Sequence, residues 1–284
     1  MEGKKMNVLS LFDGISCGQI ALNKVGIKID NYYASEIKEH AIKVTQHNYP
    51  NTIQLGDVTK IDLNKLPKID LLIGGSPCQD LSIAMKNREG LKGSKSSLFW
   101  EYVKVLQKVK PKYFLLENVA RMSNEDKEII NGILGVEPIR INSRLVSAQL
   151  RDRLYWTNIP GIKQPQDKGI LLKDILESGY TDREKSRALL VSDSRPLRDK
   201  KRMWHRYKNT GFTTIVFESE DMNPENIRYL TQIELERLQT VPVGYTQILK
   251  RDQAADVLGD GWTVDAVAHI FSYMEKEIEI EKAI

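Results

Sequence analysis

Short apolar runs alternate along the first half of the chain with stretches of helical period. The apolar runs are NVLSLF from residue 7, YYASE from residue 32, LLIGG from residue 71 and YFLLEN from residue 113. Helical periodicity fills the stretches 18–25, 37–47, 97–109 and 124–134. This alternation predicts parallel strands joined by crossover helices, that is, a doubly wound α/β sheet. Ligands of such sheets bind beyond the carboxyl ends of the strands.

The alternation lapses from Ile162 to Asn226, where polar and basic residues dominate. Helical periodicity returns in LTQIELERLQTVP from residue 230 and in VDAVAHIFSYMEKEIEIEK from residue 264. We therefore expect a sheet domain over 1–161, a small inserted domain over 162–226, and a C-terminal segment over 227–284 that returns to the sheet domain.

Composition limits what the chemistry can be. The chain has 284 residues, of which 41% are hydrophobic and 28% charged, as in a water-soluble globular protein. Two cysteines, Cys17 and Cys78, form no CxxC pair, and four scattered histidines offer no zinc-ligand spacing. The apolar run at the N-terminus is short and broken by Asp13. We expect a cytoplasmic protein with no metal site and no membrane association.

Three consecutive strand ends carry groups that suit a ligand. Gly14 and Gly18 open a helix after the first strand, Glu36 ends the second strand, and Asp57 lies in GDVTKI. An acidic side chain at the second strand end can accept hydrogen bonds from ribose hydroxyls, and Asp57 could accept one from an adenine amine. Each carboxylate could instead cap a helix or lie in a solvated turn. The three together predict an adenosine pocket, and the missing GxGxxG spacing argues against a pyrophosphate cradle.

Cys78 follows a proline in GGSPCQDLS, directly after the apolar run that begins at Leu71. A cysteine at such a turn is either a small buried hydrophobe or a thiolate nucleophile, whose pKa backbone N–H groups can lower. Cys17 lies in the glycine loop, where a small side chain suffices, and we assign it no chemistry.

Eight ordered motifs resemble those of the DNA cytosine-5 methyltransferases over nearly the whole chain. They are FDGISCG, Glu36, GDV, GGSPCQDLS, ENV, QLRDR, RYLTQIELERLQTVP and GDGWTV. Their wording is most similar to the eukaryotic de novo branch and its phage and bacterial relatives. The resemblance implies a Rossmann-like methyltransferase sheet that uses S-adenosylmethionine and acts on double-stranded DNA, with the inserted domain as the target-recognition domain. It is also compatible with a cognate restriction enzyme as a partner.

The resemblance implies a covalent mechanism. The Cys78 thiolate adds to C6 of cytosine and makes C5 nucleophilic, while a carboxyl group at Glu117 protonates or shares a proton with N3. C5 takes the methyl group, its proton leaves, and Cys78 is eliminated. Arg151 and Arg153 would share a face if QLRDR is extended. The family pattern gives Arg153 the cytosine O2 and puts Arg151 nearer the DNA backbone or the loop after Cys78; a surface ion pair is the alternative. We expect Asn118 to hold the turn.

The remaining site residues follow from the same resemblance. The predicted cofactor-binding set is Phe12, Asp13, Gly14, Gly18, Glu36, Ile37, Asp57, Val58, Ser76, Pro77, Trp262 and Val264. The predicted DNA-binding set is Ser82, Arg88, Arg198, Lys200, Lys201 and Arg202.

Basic residues concentrate where the family has its target-recognition region. Residues 181–208 hold ten Lys or Arg against four Asp or Glu, with Trp204, His205 and Tyr207 among them. Such a stretch suits phosphate contact and base readout, and a solvated charged face is the alternative. Two other functions stay open for the whole chain: an RNA (tRNA) cytosine-5 methyltransferase of the same fold, and a catalytically silent DNA-binding regulator.

Overall fold

The computed structural model describes residues 5–76, 97–191, 199–209 and 214–283, with side chains up to Met274 in the last helix. The strands are β1 Met6–Leu11, β2 Ile29–Ser35, β3 Ile53–Gln54, β4 Leu71–Gly75, β5 Tyr113–Val119, β6 Ile139–Asn142, β7 Gln149–Leu150, β8 Asp152–Thr157, β9 Ser186–Arg187, β10 Val216–Phe217 and β11 Ile227–Arg228. The helices are α1 Cys17–Lys24, α2 Glu39–Asn48, α3 Ser97–Val109, α4 Asn124–Leu134, α5 Leu172–Ile175, α6 Lys200–Asn209, α7 Gln232–Gln239, α8 Arg251–Asp260 and α9 Val264–Ala283.

The central sheet has the strand order β3-β2-β1-β4-β5-β8-β6. Strands β1 to β5 pair in parallel, and β8 runs antiparallel to β5. The predicted doubly wound sheet is thereby confirmed. The chain order reverses between β1 and β4, and in an open α/β sheet this reversal marks where a ligand binds.

Both faces of the sheet are covered. Leu9 and Leu11 of β1 pack with Phe99 and Tyr102 of α3 in one buried cluster. Val8, of the opposite parity, is equally buried, which explains why β1 is an almost continuous apolar run. Close packing continues to the strand end: a Cβ atom at Gly74 would lie 3.0 Å from the Tyr102 ring. A glycine therefore lets α3 approach the sheet here.

Contacts divide the chain into two compact units. The first comprises Met1–Ile141, Asp152–Gln164 and Val267–Ile284, and the second comprises Asn142–Arg151 and Pro165–Ala266. This division differs from the expected boundaries, because 142–151 and 227–266 belong to the second unit. The assignment of catalytic and target-recognition roles to parts of the chain stays a prediction.

A buried polar network explains why these segments join the second unit. The Gln149 side-chain amide donates to the Leu238 carbonyl at 2.6 Å and to Gln239 Oε1 at 3.0 Å. Thr263 Oγ1 donates to the same Gln239 oxygen at 3.1 Å. All three side chains are buried, where an unpaired polar group would be costly. The hydrogen bonds of Gln149 join residues about 90 positions apart, and local periodicity cannot predict them.

Within the second unit, α6 packs one face on a small apolar cluster. Met203 and Tyr207, four residues apart on the helix, are buried against Ile215, Phe217 and Ile227. The opposite face of α6 is exposed and polar.

Among the helices in the described ranges, none is both long and apolar enough to cross a bilayer. In the same part of the chain, no three His, Cys, Asp or Glu side chains gather closely enough to hold a metal ion.

Candidate functional site

The loop that joins β1 to α1 has an unusual backbone. Phe12, Gly14 and Ser16 have φ values of 56°, 60° and 57°, in the left-handed region. Such conformations cost about 1–3 kcal/mol each for residues other than glycine, and they persist only where the surroundings hold them. At Gly14, a Cβ atom would meet no atom of the described residues within 4 Å, so open space lies beside this backbone in that part of the chain. A ligand can therefore approach the main chain here.

Asp13 anchors this loop. Although the residue as a whole is half-buried, burial of its carboxyl group raises the pKa of Asp13 to about 6, against the lowering effect of hydrogen bonds from Ser10, Ser16 and Tyr32. The Tyr32 hydroxyl donates to Asp13 Oδ1 at 2.8 Å, and the Ser16 hydroxyl donates to Oδ2. A carboxylate held by hydroxyls at a strand end is a frequent feature of functional sites.

Glu36 accepts hydrogen bonds from backbone amides of the loop after β1 and of its own segment. Its Oε2 accepts from Gly14 N–H at 2.8 Å, and its Oε1 accepts from the N–H groups of Ile37 and Lys38, both at 2.8 Å. A carboxylate has about four acceptor positions, so one remains for a ligand. Beside it, the Ile37 side chain is 78% exposed. An acceptor next to an uncovered apolar side chain suits a nucleoside.

Asp57 caps the 3-10 turn over Val58–Lys60. Its Oδ1 accepts from Thr59 N–H at 3.0 Å and from the Thr59 hydroxyl at 2.8 Å. The backbone bond from Thr59 is the main reason that the pKa of Asp57 lies below its usual value. The helix-capping alternative is thus present in the structure, and Oδ2 lies 3.7 Å from Lys60 Nζ in an ion pair. Val58 is buried behind it.

A side chain of β5 forms hydrogen bonds with the residue that follows β4. Asn118 Nδ2 donates to the carbonyl and to the hydroxyl of Ser76, both at 3.2 Å, and its Oδ1 accepts from Val119 N–H at 2.8 Å. Asn118 thus holds Ser76, the last described residue before the turn, and its role in holding the turn itself stays a prediction. Five predicted site residues lie outside the described ranges: Pro77, Cys78, Ser82, Arg88 and Arg198.

Glu117 and Arg153 form an ion pair on neighbouring strands. Arg153 is in register with Val119, two positions beyond Glu117, so both side chains lie on one face of the sheet. The distance from Arg153 Nε to Glu117 Oε1 is 2.7 Å, and the two side chains are 15% and 11% exposed. Because Gly75 is in register with Glu117, the pair lies beside the strand end that leads into Pro77 and Cys78.

Arg151 has different partners from Arg153. Its guanidinium donates to the carbonyl groups of Leu189, Gly259 and Gly261 at 3.0, 3.2 and 2.9 Å, all within the second unit. The alternation that put both arginines on one face was wrong, because β7 ends at Leu150 and β8 begins only at Asp152. Arg151 thus has a structural role, and the alternative of a surface ion pair does not describe it. Its contact with DNA or the catalytic loop stays a prediction.

Two further cofactor candidates, Trp262 and Val264, belong to the second unit, where Val264 is fully buried and Trp262 is half-buried. Gly18 is buried in the first turn of α1, next to the buried Cys17. Cofactor contact by these residues remains a prediction.

The exposed face of α6, in the second unit, carries a group of basic residues. Lys200, Lys201 and Arg202 are exposed in its first turn. Lys200 Nζ donates to the Glu225 carbonyl at 2.8 Å. Deeper in the helix, the Trp204 and Tyr207 rings stack with their centroids 5.6 Å apart. Aromatic packing thus holds a helix whose other side presents positive charge to solvent.

Sequence reasoning missed three residues that shape these sites. Tyr32 and Thr45 support the loop after β1, and Gln149 joins distant segments of the second unit. Gln149 lies within a quoted motif, which was a usable signal. Tyr32 and Thr45 lie in an ordinary strand and helix, where no local pattern marks them.

Comparison with known proteins gives a consistent result. The model of the C-5 cytosine-specific DNA methylase family matches residues 6–136. The orphan methyltransferase M.SPRI of Bacillus phage SPR is 36% identical over 193 aligned residues, which cover 62% of this chain and 43% of the phage protein. The type II methyltransferase M.NgoBV of Neisseria gonorrhoeae is 31% identical over 198 residues, with coverages of 62% and 47%. The chain thus spans less than half the length of these two relatives.

Solved structures support the fold. The Entamoeba histolytica methyltransferase EhMeth superimposes with a TM-score of 0.75 over 97% of this chain and 99% of that one. The sequence identity is 18%, so this likeness concerns the fold alone.

Proposed function

We propose that the chain, whose residues 6–136 match the model of the C-5 cytosine-specific DNA methylase family, methylates C5 of cytosine in duplex DNA through a covalent Cys78 adduct. The observation that carries the proposal is the Glu117–Arg153 pair, 2.7 Å apart, beside the strand end that precedes Cys78. A buried carboxyl group next to a guanidinium, at the end of the sheet from which the chain continues to Cys78, matches what activation of cytosine requires.

Each side chain has a role that its chemistry permits. The thiolate of Cys78 adds to C6, and Glu117 holds a proton at N3 so that the ring accepts the new bond. Arg153 donates to the cytosine O2 and keeps Glu117 in place through its Nε. After methylation, loss of the C5 proton releases Cys78. Because the base is buried in the duplex, it must rotate out of the stack to reach these groups.

S-adenosylmethionine fits the loop beside β1, and it supplies the electrophilic methyl group when bound. The fit rests on the open space at Gly14, the remaining acceptor position of Glu36, and the exposed Ile37 side chain. Glu36 would accept from the ribose hydroxyls, Asp57 from the adenine amine, and Ile37 would cover the adenine face. The half-buried Phe12 borders the same loop.

Methyl transfer to defined nucleic acids tests the function. We expect purified protein to move label from methyl-labelled S-adenosylmethionine into duplex DNA, and nuclease digestion to yield 5-methylcytosine. A transfer RNA and a duplex already methylated at every cytosine serve as competitors. Label in the RNA alone would establish the RNA-modifying alternative, and DNA binding without any transfer would establish a silent regulator.

The basic face of α6 should contact DNA phosphates. Replacing both Lys201 and Arg202 by glutamine is expected to weaken duplex binding and to reduce the slope of log K against log salt by about one unit for each lost phosphate contact. Affinity for S-adenosylmethionine should not change. Relaxed sequence preference with an unchanged slope would instead indicate base readout.

The matched control replaces Lys24 and Lys28 by glutamine. These exposed lysines lie near the amino end of the sheet, opposite the strand ends that carry the candidate site. The control removes the same charge, so it separates local contact from a general electrostatic effect. Equal slopes for the two double variants would mean that α6 presents only a solvated face.

A further inference from the structure

Tyr32 lies behind the loop that joins β1 to α1. It is on β2, its side chain is 2% exposed, and its hydroxyl donates to Asp13 Oδ1 at 2.8 Å. Its neighbour Tyr33 points to the opposite face of the sheet, where it packs on the buried cluster of α3. Tyr32 thus faces the loop and bonds to Asp13, whereas the adjacent Tyr33 faces the other side of the sheet.

The loop is held by a chain of hydrogen bonds that starts at Tyr32. One carboxylate oxygen of Asp13 accepts a hydrogen bond from the Tyr32 hydroxyl, and the other accepts one from the Ser16 hydroxyl. The buried Thr45 hydroxyl lies 3.2 Å from Ser16 Oγ and 3.4 Å from the Gly14 carbonyl. These bonds act on the segment with left-handed backbone, which does not hold that conformation by itself. Asp13 is the group through which Tyr32 reaches this segment.

The charge state of Asp13 decides whether these bonds can all form. An ionised carboxylate accepts from every surrounding hydroxyl, whereas a protonated one must donate a proton and loses or reverses one bond. The titratable groups that act on Asp13 are Tyr32 and Glu36. The charge of Glu36 and burial both raise the pKa of Asp13, and the hydrogen bond from Tyr32 lowers it. Removing the Tyr32 hydroxyl therefore favours the protonated form.

We propose that Tyr32 is a positioning residue: through Asp13 it holds the loop over residues 12–16 in the geometry that binds S-adenosylmethionine. This inference rests on the proposed function, since it takes the loop as the cofactor site. It concerns the shape of the loop, so S-adenosylmethionine and its demethylated product, which differ by the methyl group and the sulfonium charge, should be affected alike.

Calorimetry on the full chain tests the role of Tyr32 between about pH 5 and pH 8. For wild type we expect the affinity for both ligands to rise with pH, with a midpoint near the pKa of Asp13, about 6. The Tyr32→Phe variant should bind both ligands about tenfold more weakly at neutral pH, which is the usual effect of losing one hydrogen bond to a charged group. Its midpoint should move to higher pH. Tyr33→Phe, the matched control, should behave as wild type.

A second variant keeps the test decisive if Tyr32→Phe unfolds. Asp13→Asn cannot titrate, so its affinity should be independent of pH over the same range, and thermal unfolding checks that both variants are folded. Weaker binding by Tyr32→Phe with an unshifted midpoint, or a loss confined to S-adenosylmethionine, overturns the inference. Absence of binding to wild type would overturn the proposed function itself, whereas normal methylation with an unaffected Tyr32→Phe variant refutes only the role of Tyr32.

Discussion

Replacing Cys78 by alanine is expected to abolish methyl transfer while the affinities for S-adenosylmethionine and duplex DNA survive. Without a thiolate, nothing adds to C6 and C5 stays a poor nucleophile, so a loss of at least roughly 10³-fold in turnover is expected. The measurement is incorporation of labelled methyl groups, with separate binding titrations for cofactor and DNA. Cys17→Ala is the matched control, because this second cysteine is buried in the first turn of α1 and has no assigned chemistry.

A trapped adduct makes the same test independent of turnover. Duplex DNA with 5-fluorocytosine in place of cytosine should form a complex with wild type that survives denaturation, because fluorine replaces the proton whose loss releases the enzyme. Cys78→Ala should form none, and Cys17→Ala should form as much as wild type. Residual turnover above a small fraction of wild type, or a denaturation-stable complex with Cys78→Ala, would refute the covalent mechanism.

Glu117→Gln should reduce the turnover number about 10²-fold or more, the size usual for loss of an acid–base group. Glutamine keeps the shape and can still accept a bond from Arg153 Nε, but its amide cannot hold or donate the proton at N3 as a carboxyl group does. Cofactor affinity should change little, since the proposed cofactor contacts lie at Glu36 and Asp57. Single-turnover kinetics with saturating cofactor measures the chemical step directly.

The control for this variant is Glu128→Gln. Glu128 is an acidic residue of α4 whose side chain is 62% exposed and paired with Lys127, so the exchange removes the same charge from the same unit. Turnover of the control should equal that of wild type. Unchanged turnover of Glu117→Gln would remove this carboxyl group from the mechanism, and a loss of cofactor binding would point to a structural role instead.

The succession of strands and helices along the chain could be predicted from the sequence, because each element depends on local periodicity. The predicted helix over 97–109 coincides with α3, and the predicted run LLIGG coincides with β4. A buried parallel strand is apolar throughout and its crossover helix has one apolar face. Each element can therefore be recognised from about ten residues of sequence. The motif residues at the strand ends follow from that order.

Some side-chain contacts between neighbouring strands could be predicted from the sequence. Once β4 and β5 are known to be parallel and adjacent, Asn118 and Ser76 must lie near each other, and their hydrogen bonds agree with that expectation. The pairing of Arg153 with Glu117 needed β8 as well, whose antiparallel direction no local pattern specified.

The sequence by itself determined the α/β sheet, the resemblance to a methyltransferase family and the residues proposed for the reaction. Only the tertiary structure decided which arginine of QLRDR pairs with Glu117, that Tyr32 encloses the Asp13 carboxyl group, and that residues 227–266 belong to the second unit. The physical reason is distance along the chain. The carbonyl groups that bind Arg151 lie 38 to 110 positions away, and the hydrogen bonds that lower the pKa of Asp13 come from Ser10 on β1, from Ser16 and from Tyr32 on β2. Local propensity sets the elements, whereas burial and partner choice arise only when those elements pack.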